Sequence, residues 1–165
     1  MLFQTENIKL RKVEATDLSF LYLWENDTEA WTAGDTHNPL SHSDLQEYIA
    51  CTTGDIYKDR QLRLIIQKGD HSVGCIDIFD FDVHNKKAAI GIYVEATERG
   101  KGVGQCAVKL VVDYLKDFMH LNMVYAFVQE DNTASNKLFE KVGFRNTALL
   151  LNWHNGKNVY VWQLL

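Results

Sequence analysis

Apolar and polar residues alternate over residues 7–13 (NIKLRKV), the period of a strand with one face in water. After Thr16 and Asp17, whose side-chain oxygens suit a helix start, the period lengthens, and Leu18, Leu21, Tyr22 and Glu25 share one helical face. Ser43 and Gln46 form a capping-box pattern that predicts a second short helix over 44–51. Three β-like runs follow, at 61–67 (QLRLIIQ), 72–81 (SVGCIDIFDF) and 88–94 (AAIGIYV). A Lys-Gly-Asp turn and a polar DVHNKK separate them, so together they predict an antiparallel meander. From Val103 the period is helical again: Ala107, Leu110, Val111, Tyr114 and Phe118 continue its face, while Lys109, Asp113, Lys116 and Asp117 fall opposite. Residues 123–129 (MVYAFVQ) predict a buried strand, and 131–142 a helix that Gly143 ends as its C-cap. Two last strands flank Asn155-Gly156, the strongest short hairpin signal. Pro39 is the only proline and no linker or repeat interrupts the chain, so the order predicts an α/β or α+β domain over 1–165 with one central sheet.

Between the strand at 88–94 and the helix at Val103 lies ERGKGVGQ. Glycine loses more conformational freedom on folding than any other residue, so Gly100, Gly102 and Gly104 in alternation imply positive φ or close approach by something else. Arg99 and Lys101 imply that the visitor is an anion, and a loop entering a helix offers it unpaired N–H groups and the positive end of the helix dipole. The Walker loop needs Gly-Lys-[Ser/Thr], which is missing here. The dinucleotide fingerprint needs G-x-G-x-x-G in a parallel βαβ unit, whereas this loop reads G-x-G-x-G after a meander. Arg99–Gly104 instead fits [RQ]-x-x-G-x-[GA] and resembles the pyrophosphate loop of the GNAT superfamily, the acetyl-CoA-dependent N-acetyltransferases. One helix and one strand later, NTASNKLFEKVGF resembles that superfamily's N-x-x-[AS]-x-x-[LI]-[YF]-x-x-x-G-F signature at Asn132, Ser135, Leu138, Phe139, Gly143 and Phe144. The N-terminal LRKVEATDLSFLY and the final hairpin resemble the branch that holds ribosomal-protein N-terminal and bacterial polyamine acetyltransferases.

The resemblance implies a mixed sheet of about seven strands with helices on both faces, split by a cleft where one strand splays from its parallel neighbour. It implies acetyl-CoA as co-substrate, with the pyrophosphate on Arg99, Gly100, Lys101, Gly102, Val103, Gly104 and Gln105. Backbone around Tyr93 and Val94 and the Asn132 side chain would take the pantetheine amides, with Ser135, Asn136 and Phe139 completing the cofactor site. A backbone N–H at Val94 would be the oxyanion donor. The implied chemistry is direct attack of an amine on the thioester. An alkylamine of pKa ~10.4 is neutral in roughly one molecule per thousand at pH 7. A site that takes its proton and holds it near the thioester therefore gains from general-base and proximity effects. Many relatives carry Tyr where this chain has Phe139, and that Tyr protonates the departing thiolate. Phe cannot, so no general acid is expected there; a thiol of pKa ~8.5 leaves tolerably as its anion, or water, Tyr125 or another hydroxyl serves.

For the acceptor, Glu25, Asp27, Glu29 and Asp35 lie in the helix–loop region that walls the cleft in relatives, and Asp77, Asp80 and Asp82 on the run at 72–81 and its exit. Strict alternation puts Asp80 and Asp82 on one face and Asp77 on the other. Glu25 and Asp77 lead as residues that bind or deprotonate a cationic amine, while Trp24, Trp31 and Tyr48 either pack the core or wall the amine by cation–π contact. A formal charge of −5 argues against nucleic acid as a partner and fits a cationic small acceptor. Cys51, Cys75 and Cys106 have neither disulfide nor metal spacing and read as reduced thiols; His37, His42, His71, His84, His120 and His154 show no ligand spacing, so no metal is expected. The first residues lack a signal-peptide pattern, and no stretch approaches the ~18 apolar residues of a membrane span. A cytoplasmic location with no membrane partner is expected, and a homo-oligomer is compatible with it. The reading is an acetyltransferase for a primary amine such as spermidine or spermine. The alternatives are a protein N-terminus as acceptor, or an acyl-CoA-binding sensor without turnover, for which Phe139 speaks.

Overall fold

A computed structural model describes residues 2–31, 33–34 and 36–165. In chain order the elements are β1 (Ile8–Lys12), α1 (Leu18–Glu25), α2 (Thr28–Trp31), α3 (His42–Cys51), α4 (Ile56–Asp59), β2 (Leu62–Lys68), β3 (His71–Asp82) and β4 (Lys87–Val94). Then come α5 (Val103–Asp113), β5 (Met123–Gln129), α6 (Thr133–Val142), β6 (Arg145–His154) and β7 (Lys157–Leu164). The strands form one seven-stranded sheet in the order β1-β2-β3-β4-β5-β7-β6. Every neighbouring pair is antiparallel except β4 and β5, which run parallel.

The sheet centre is buried on both faces, which is why β2–β4 read as near-continuous apolar runs. Ile65 and Ile66 are adjacent and both fully buried. Ile66 packs with Ile76, Ile78, Ile90 and the α5 residues Ala107, Val108 and Val111. Ile65 packs on the other face with Cys75, Leu21 and Trp24 of α1, and Leu45 of α3. Helices α5 and α6 therefore cover one face, and α1 and α3 the other. The final hairpin turns through Asn155 (φ 48°) and Gly156 (φ 76°), both left-handed as a type I′ turn requires. Gly143 closes α6 at φ 103°.

Four local expectations are corrected. Helix α3 starts at His42, because Ser41 rather than Ser43 caps it: Ser41 Oγ accepts from Asp44 N–H (3.1 Å), and Asp44 Oδ2 accepts from Ser41 N–H (2.7 Å). Asp17 does not cap α1; it is buried, accepts from Glu14 N–H and forms a double hydrogen bond with Arg11, both contacts 2.7 Å. Phe118 leaves the apolar stripe of α5 because residues Tyr114–Phe118 form a π turn, with Met119 N–H reaching back to Tyr114 C=O; the wider turn rotates Phe118 into solvent. Finally, β3 bulges between Phe79 and Asp82, with Asp80 at φ 48°. Asp77 pairs with Gly91 and Asp82 with Lys87, so the extra residue turns Asp82 to the face of Asp77, against strict alternation.

Candidate active site

The β4–β5 pairing stops early. Only Lys87–Met123, Ala88–Val124 and Ala89–Tyr125 are in register, and beyond them the strands part. On its other side β4 stays paired with β3 as far as Val94, and Glu95 N–H donates to Val73 C=O (2.9 Å). Antiparallel pairs alternate between bonded and unbonded residues, so Tyr93 and Gly91 exchange bonds with β3, while the peptide groups of Val94 and Ile92 point the other way, into the gap toward β5. The Val94 carbonyl there accepts from Arg99 Nε (2.8 Å). Opposite Val94 lies Gly74, where a Cβ would come within 2.2 Å of the Tyr93 carbonyl oxygen. Only glycine lets β3 press this closely behind the open end of β4.

After β4 the chain makes a 3₁₀ turn (Ala96–Glu98), passes through extended Arg99 and enters the glycine loop. Gly100 (φ 74°) and Gly102 (φ 80°) are left-handed, and a Cβ on either would meet nothing within 4 Å. Their glycines serve backbone conformation and an open concavity. Gly102 is the N-cap of α5 and brings no side chain to it, which leaves the first N–H groups of the helix without intrahelical partners. Gly104 has a different reason: its Cβ would lie 2.8 Å from Leu138 Cδ1, so it sets the close crossing of α5 over α6. Val103 is buried and Gln105 half-buried in the same first turn. Around the loop, Glu98 holds Lys68 (2.7 Å) and Lys101 (3.3 Å), and the Arg99 guanidinium lies 5.8 Å from the Tyr93 ring centre. An unobstructed main chain at a helix N-terminus, flanked by cations and leading from an unpaired strand end, fits a pyrophosphate followed by an amide-bearing arm.

The α6 residues divide. Asn132 caps the helix, its Oδ1 accepting from Ser135 N–H (3.2 Å). Asn136, expected beside the cofactor, is engaged inward: Nδ2 donates to the Gln129 and Glu130 carbonyls (3.1 and 3.3 Å), and Oδ1 accepts from Trp162 Nε1 (2.8 Å). It ties the end of β5 to α6 and β7. Phe139 is 3% exposed and packs edge-on against Phe144 with centroids 5.1 Å apart. Its ring belongs to the core between α6 and the sheet, a consequence of its place on the apolar face of the helix.

On the opposite face, under α1 and α3, the structure brings Glu25 and Asp77 together through a residue that the sequence pattern left unremarked. Arg63 on β2 donates from Nε and Nη2 to the two Asp77 oxygens (2.7 Å each) and from Nη1 to Glu25 Oε1. Its guanidinium lies 5.6 Å from the Tyr48 ring centre. Burial works against this charge most, but Asp77 and then Glu25 outweigh it and hold Arg63 firmly protonated. Two carboxylates around one guanidinium leave a formal charge of −1. Cys75 beside them is buried and its thiol pushed up to about 12 by that burial, with Asp77 and Glu25 adding to it against Arg63, so it is inert as a nucleophile.

Asp27 completes this face. Its Oδ2 accepts from Tyr93 Oη (2.9 Å) and its Oδ1 from Glu29 N–H (3.1 Å). Burial and then the bond to Asp27 raise the Tyr93 hydroxyl above its ordinary range. Trp24 is buried, with Nε1 donating to Glu95 Oε1 (2.8 Å), and Trp31 Nε1 donates to the Glu25 carbonyl (2.6 Å). Asp80 is exposed in the bulge, and Asp82 accepts from Asn85 N–H and Nδ2, so neither joins Asp77. Asp35 lies outside the described residues.

A parallel pair that splays beside a glycine loop and helix N-terminus, with an acidic face behind it, defines an acyl-CoA-dependent transferase fold. Residues 7–145 match the acetyltransferase (GNAT) domain family, and the chain belongs to that family: it is an acetyl-CoA-dependent N-acetyltransferase. It is 27% identical, over 98% of this chain and 94% of the relative, to an uncharacterized N-acetyltransferase, p20, of Bacillus licheniformis. Its fold is similar to that of a Vibrio cholerae spermidine N-acetyltransferase in complex with CoA and spermine (TM-score 0.86, 20% identity, 98% of this chain and 96% of that one). It is equally similar to RimL, a ribosomal L7/L12 α-N-protein acetyltransferase in complex with coenzyme A (TM-score 0.86, 15% identity, 98% and 95%).

Proposed function

We propose that the acceptor is a small cationic primary amine of the polyamine type. The observation that carries this reading is the carboxylate pair under α1: Glu25 and Asp77 share one guanidinium, Arg63, which offsets only part of their charge, and Asp27 follows two residues after Glu25, bonded to Tyr93. A cation bound beside Glu25 would restore the balance. Glu25 Oε1 is engaged by Arg63, whereas Oε2 has no partner among the described residues. Glu25 Oε2 takes the ammonium proton, and the neutral amine nitrogen then bonds to the acetyl carbon. The carbonyl oxygen, which gains negative charge as that bond forms, is met by the Val94 N–H in the gap between β4 and β5. The carbon–sulfur bond breaks, the acetyl group stays on nitrogen, and the surplus proton of that nitrogen passes through water to the CoA thiolate, since Phe139 has none to give.

A protein N-terminus is the second reading, supported by the equal likeness to RimL. Initial rates of CoA release with spermidine, spermine, an aminoglycoside and peptides with free N-termini separate the two. Turnover with the polyamines and none with the peptides is expected, and loss of most of it in Glu25→Gln. Turnover confined to peptides would overturn the polyamine reading. No turnover with any amine, despite acetyl-CoA binding, would make the chain a sensor.

A further inference from the structure

Two hydrogen bonds join the N-terminal helical segment to the end of β4 and the residue after it, and they straddle Val94. Tyr93 Oη donates to Asp27 Oδ2 (2.9 Å), and Trp24 Nε1 donates to Glu95 Oε1 (2.8 Å). Tyr93 and Glu95 are the neighbours of Val94, and in extended backbone residues two apart point to one face. On the helical side, Trp24 and Asp27 enclose Glu25 and Asn26. Asn26 is itself fixed, donating to the Tyr22 and Leu40 carbonyls and accepting from Leu40 N–H. Asp27 is doubly committed, since its second oxygen starts α2 through Glu29 N–H (3.1 Å). The Trp24 and Tyr93 rings lie 6.0 Å apart between the two bonds, so the junction is filled rather than hollow.

We propose that the Trp24–Glu95 and Asp27–Tyr93 pairs act as a two-point clamp that sets the distance between the acceptor wall and the Val94 amide. Tyr93 and Glu95 are then positioning residues, reaching the reaction through α1. The proposal rests on the reading of Glu25 and Val94 given above. Packing of Leu21 and Trp24 and the Arg63–Glu25 contact seat α1 on β2 and β3, and a single bond to the end of β4 would fix only one point of its spacing from Val94. Two, placed on either side of Glu25 at one end and of Val94 at the other, fix both spacing and orientation. A reacting pair must be held to within a fraction of an ångström, and a misplacement of about 1 Å costs roughly a hundredfold.

The test uses Tyr93→Phe, which removes only a hydroxyl, and Glu95→Ala, with Glu95→Gln as the variant that keeps an acceptor for Trp24. Three measurements are made on each: kcat/KM for the best amine of the acceptor panel, acetyl-CoA affinity by calorimetry, and hydrogen exchange resolved by segment. Tyr93→Phe and Glu95→Ala should each lower amine kcat/KM by roughly tenfold to a hundredfold. Acetyl-CoA affinity should stay within about twofold, and exchange should quicken over 18–31 but not over 103–113. Glu95→Gln should recover most of what Glu95→Ala loses. Unchanged exchange over 18–31, or faster exchange with amine kcat/KM intact, overturns the clamp. So does an equal loss of acetyl-CoA affinity, which would mean general damage. If the wild type acetylates no amine, the acceptor reading fails by itself, and the exchange of 18–31 in the two variants decides the clamp.

Discussion

Replacing Gly102 by glutamate separates what the glycine loop does for folding from what it does for binding. The residue sits at φ 80° with nothing within 4 Å of where a Cβ would stand, so the folding cost is one left-handed non-glycine residue, roughly 1–2 kcal/mol. Gly102→Ala carries that same strain without a charge and is the reference. The glutamate then puts a carboxylate at the N-cap of α5, where a pyrophosphate held by the loop would sit. At an effective dielectric of about 20, two unit charges ~4 Å apart repel by about 4 kcal/mol, and swinging the side chain out to ~8 Å halves that. Acetyl-CoA affinity should therefore fall by about thirtyfold to a thousandfold relative to Gly102→Ala. Added salt should recover part of the loss, because the loop is open to solvent. Calorimetry at low and high ionic strength measures both effects, with thermal melts confirming that the two variants fold alike. If Gly102→Glu binds within about threefold of Gly102→Ala, the diphosphate is not held here and the loop is only a turn.

Gly74→Ala forces a Cβ to 2.2 Å from a backbone oxygen that cannot rotate away, so a stability loss of about 1–3 kcal/mol or more is expected. An unchanged melting midpoint would show that β3 does not press on β4 at Val94. Phe139→Tyr adds a hydroxyl to a ring 3% exposed, with an expected cost of about 1–3 kcal/mol and no gain in kcat. A higher kcat would place the ring tip at the thioester sulfur rather than in the core. Asp17 meets a burial penalty, but its bonds to Arg11 and to Glu14 N–H outweigh it and hold it below the ordinary carboxylate value. Its contribution is thus full above about pH 4 and lost as pH falls through the lower folded value. Asp17→Asn should reduce stability at pH 7 and flatten the acid limb of urea-unfolding free energy against pH. An acid limb as steep as the wild type's would refute this.

What could be read from the chain was local. The strands of the meander, the glycine loop, the Asn155-Gly156 hairpin and the cap at Gly143 each depend on residues a few positions apart. The acceptor face was only half legible, and Arg63 shows why. The β2–β3 turn pairs Lys68 with His71, a register that carried backward would set Arg63 opposite Ile76. A bulge near Gly74 shifts the pairing by one, and Arg63 meets Asp77 instead. A second bulge at Asp80 reverses the face of Asp82. Period-two reasoning fails at such insertions, and the warning in the sequence is a glycine within the β3 run. For Asn136 and Phe139 the limit is different: a motif position does not say which way a side chain turns, and the inward bonds of Asn136 and the burial of Phe139 come from packing between α6, β5 and β7.

The two halves of the site rest on different physics, and this bears on how acceptor choice can change. In the proposed reading the cofactor half is main chain: left-handed glycines, helix N–H groups and the outward peptide of Val94. Almost any substitution there alters backbone conformation first. The proposed acceptor half is side-chain charge on a separate face of the sheet, with Arg63 holding Glu25 and Asp77 and Tyr93 holding Asp27. Exchanging Glu25 or Asp77 leaves the glycine loop untouched, since the core of β3 and β4 lies between, whereas Asp27 reaches it through Tyr93, whose ring faces Arg99. The residues on either side of Val94 touch both halves. Acceptor specificity should therefore vary freely across the acidic face among similar chains, and a change at Tyr93 or Glu95 should need a matching change at Asp27 or Trp24.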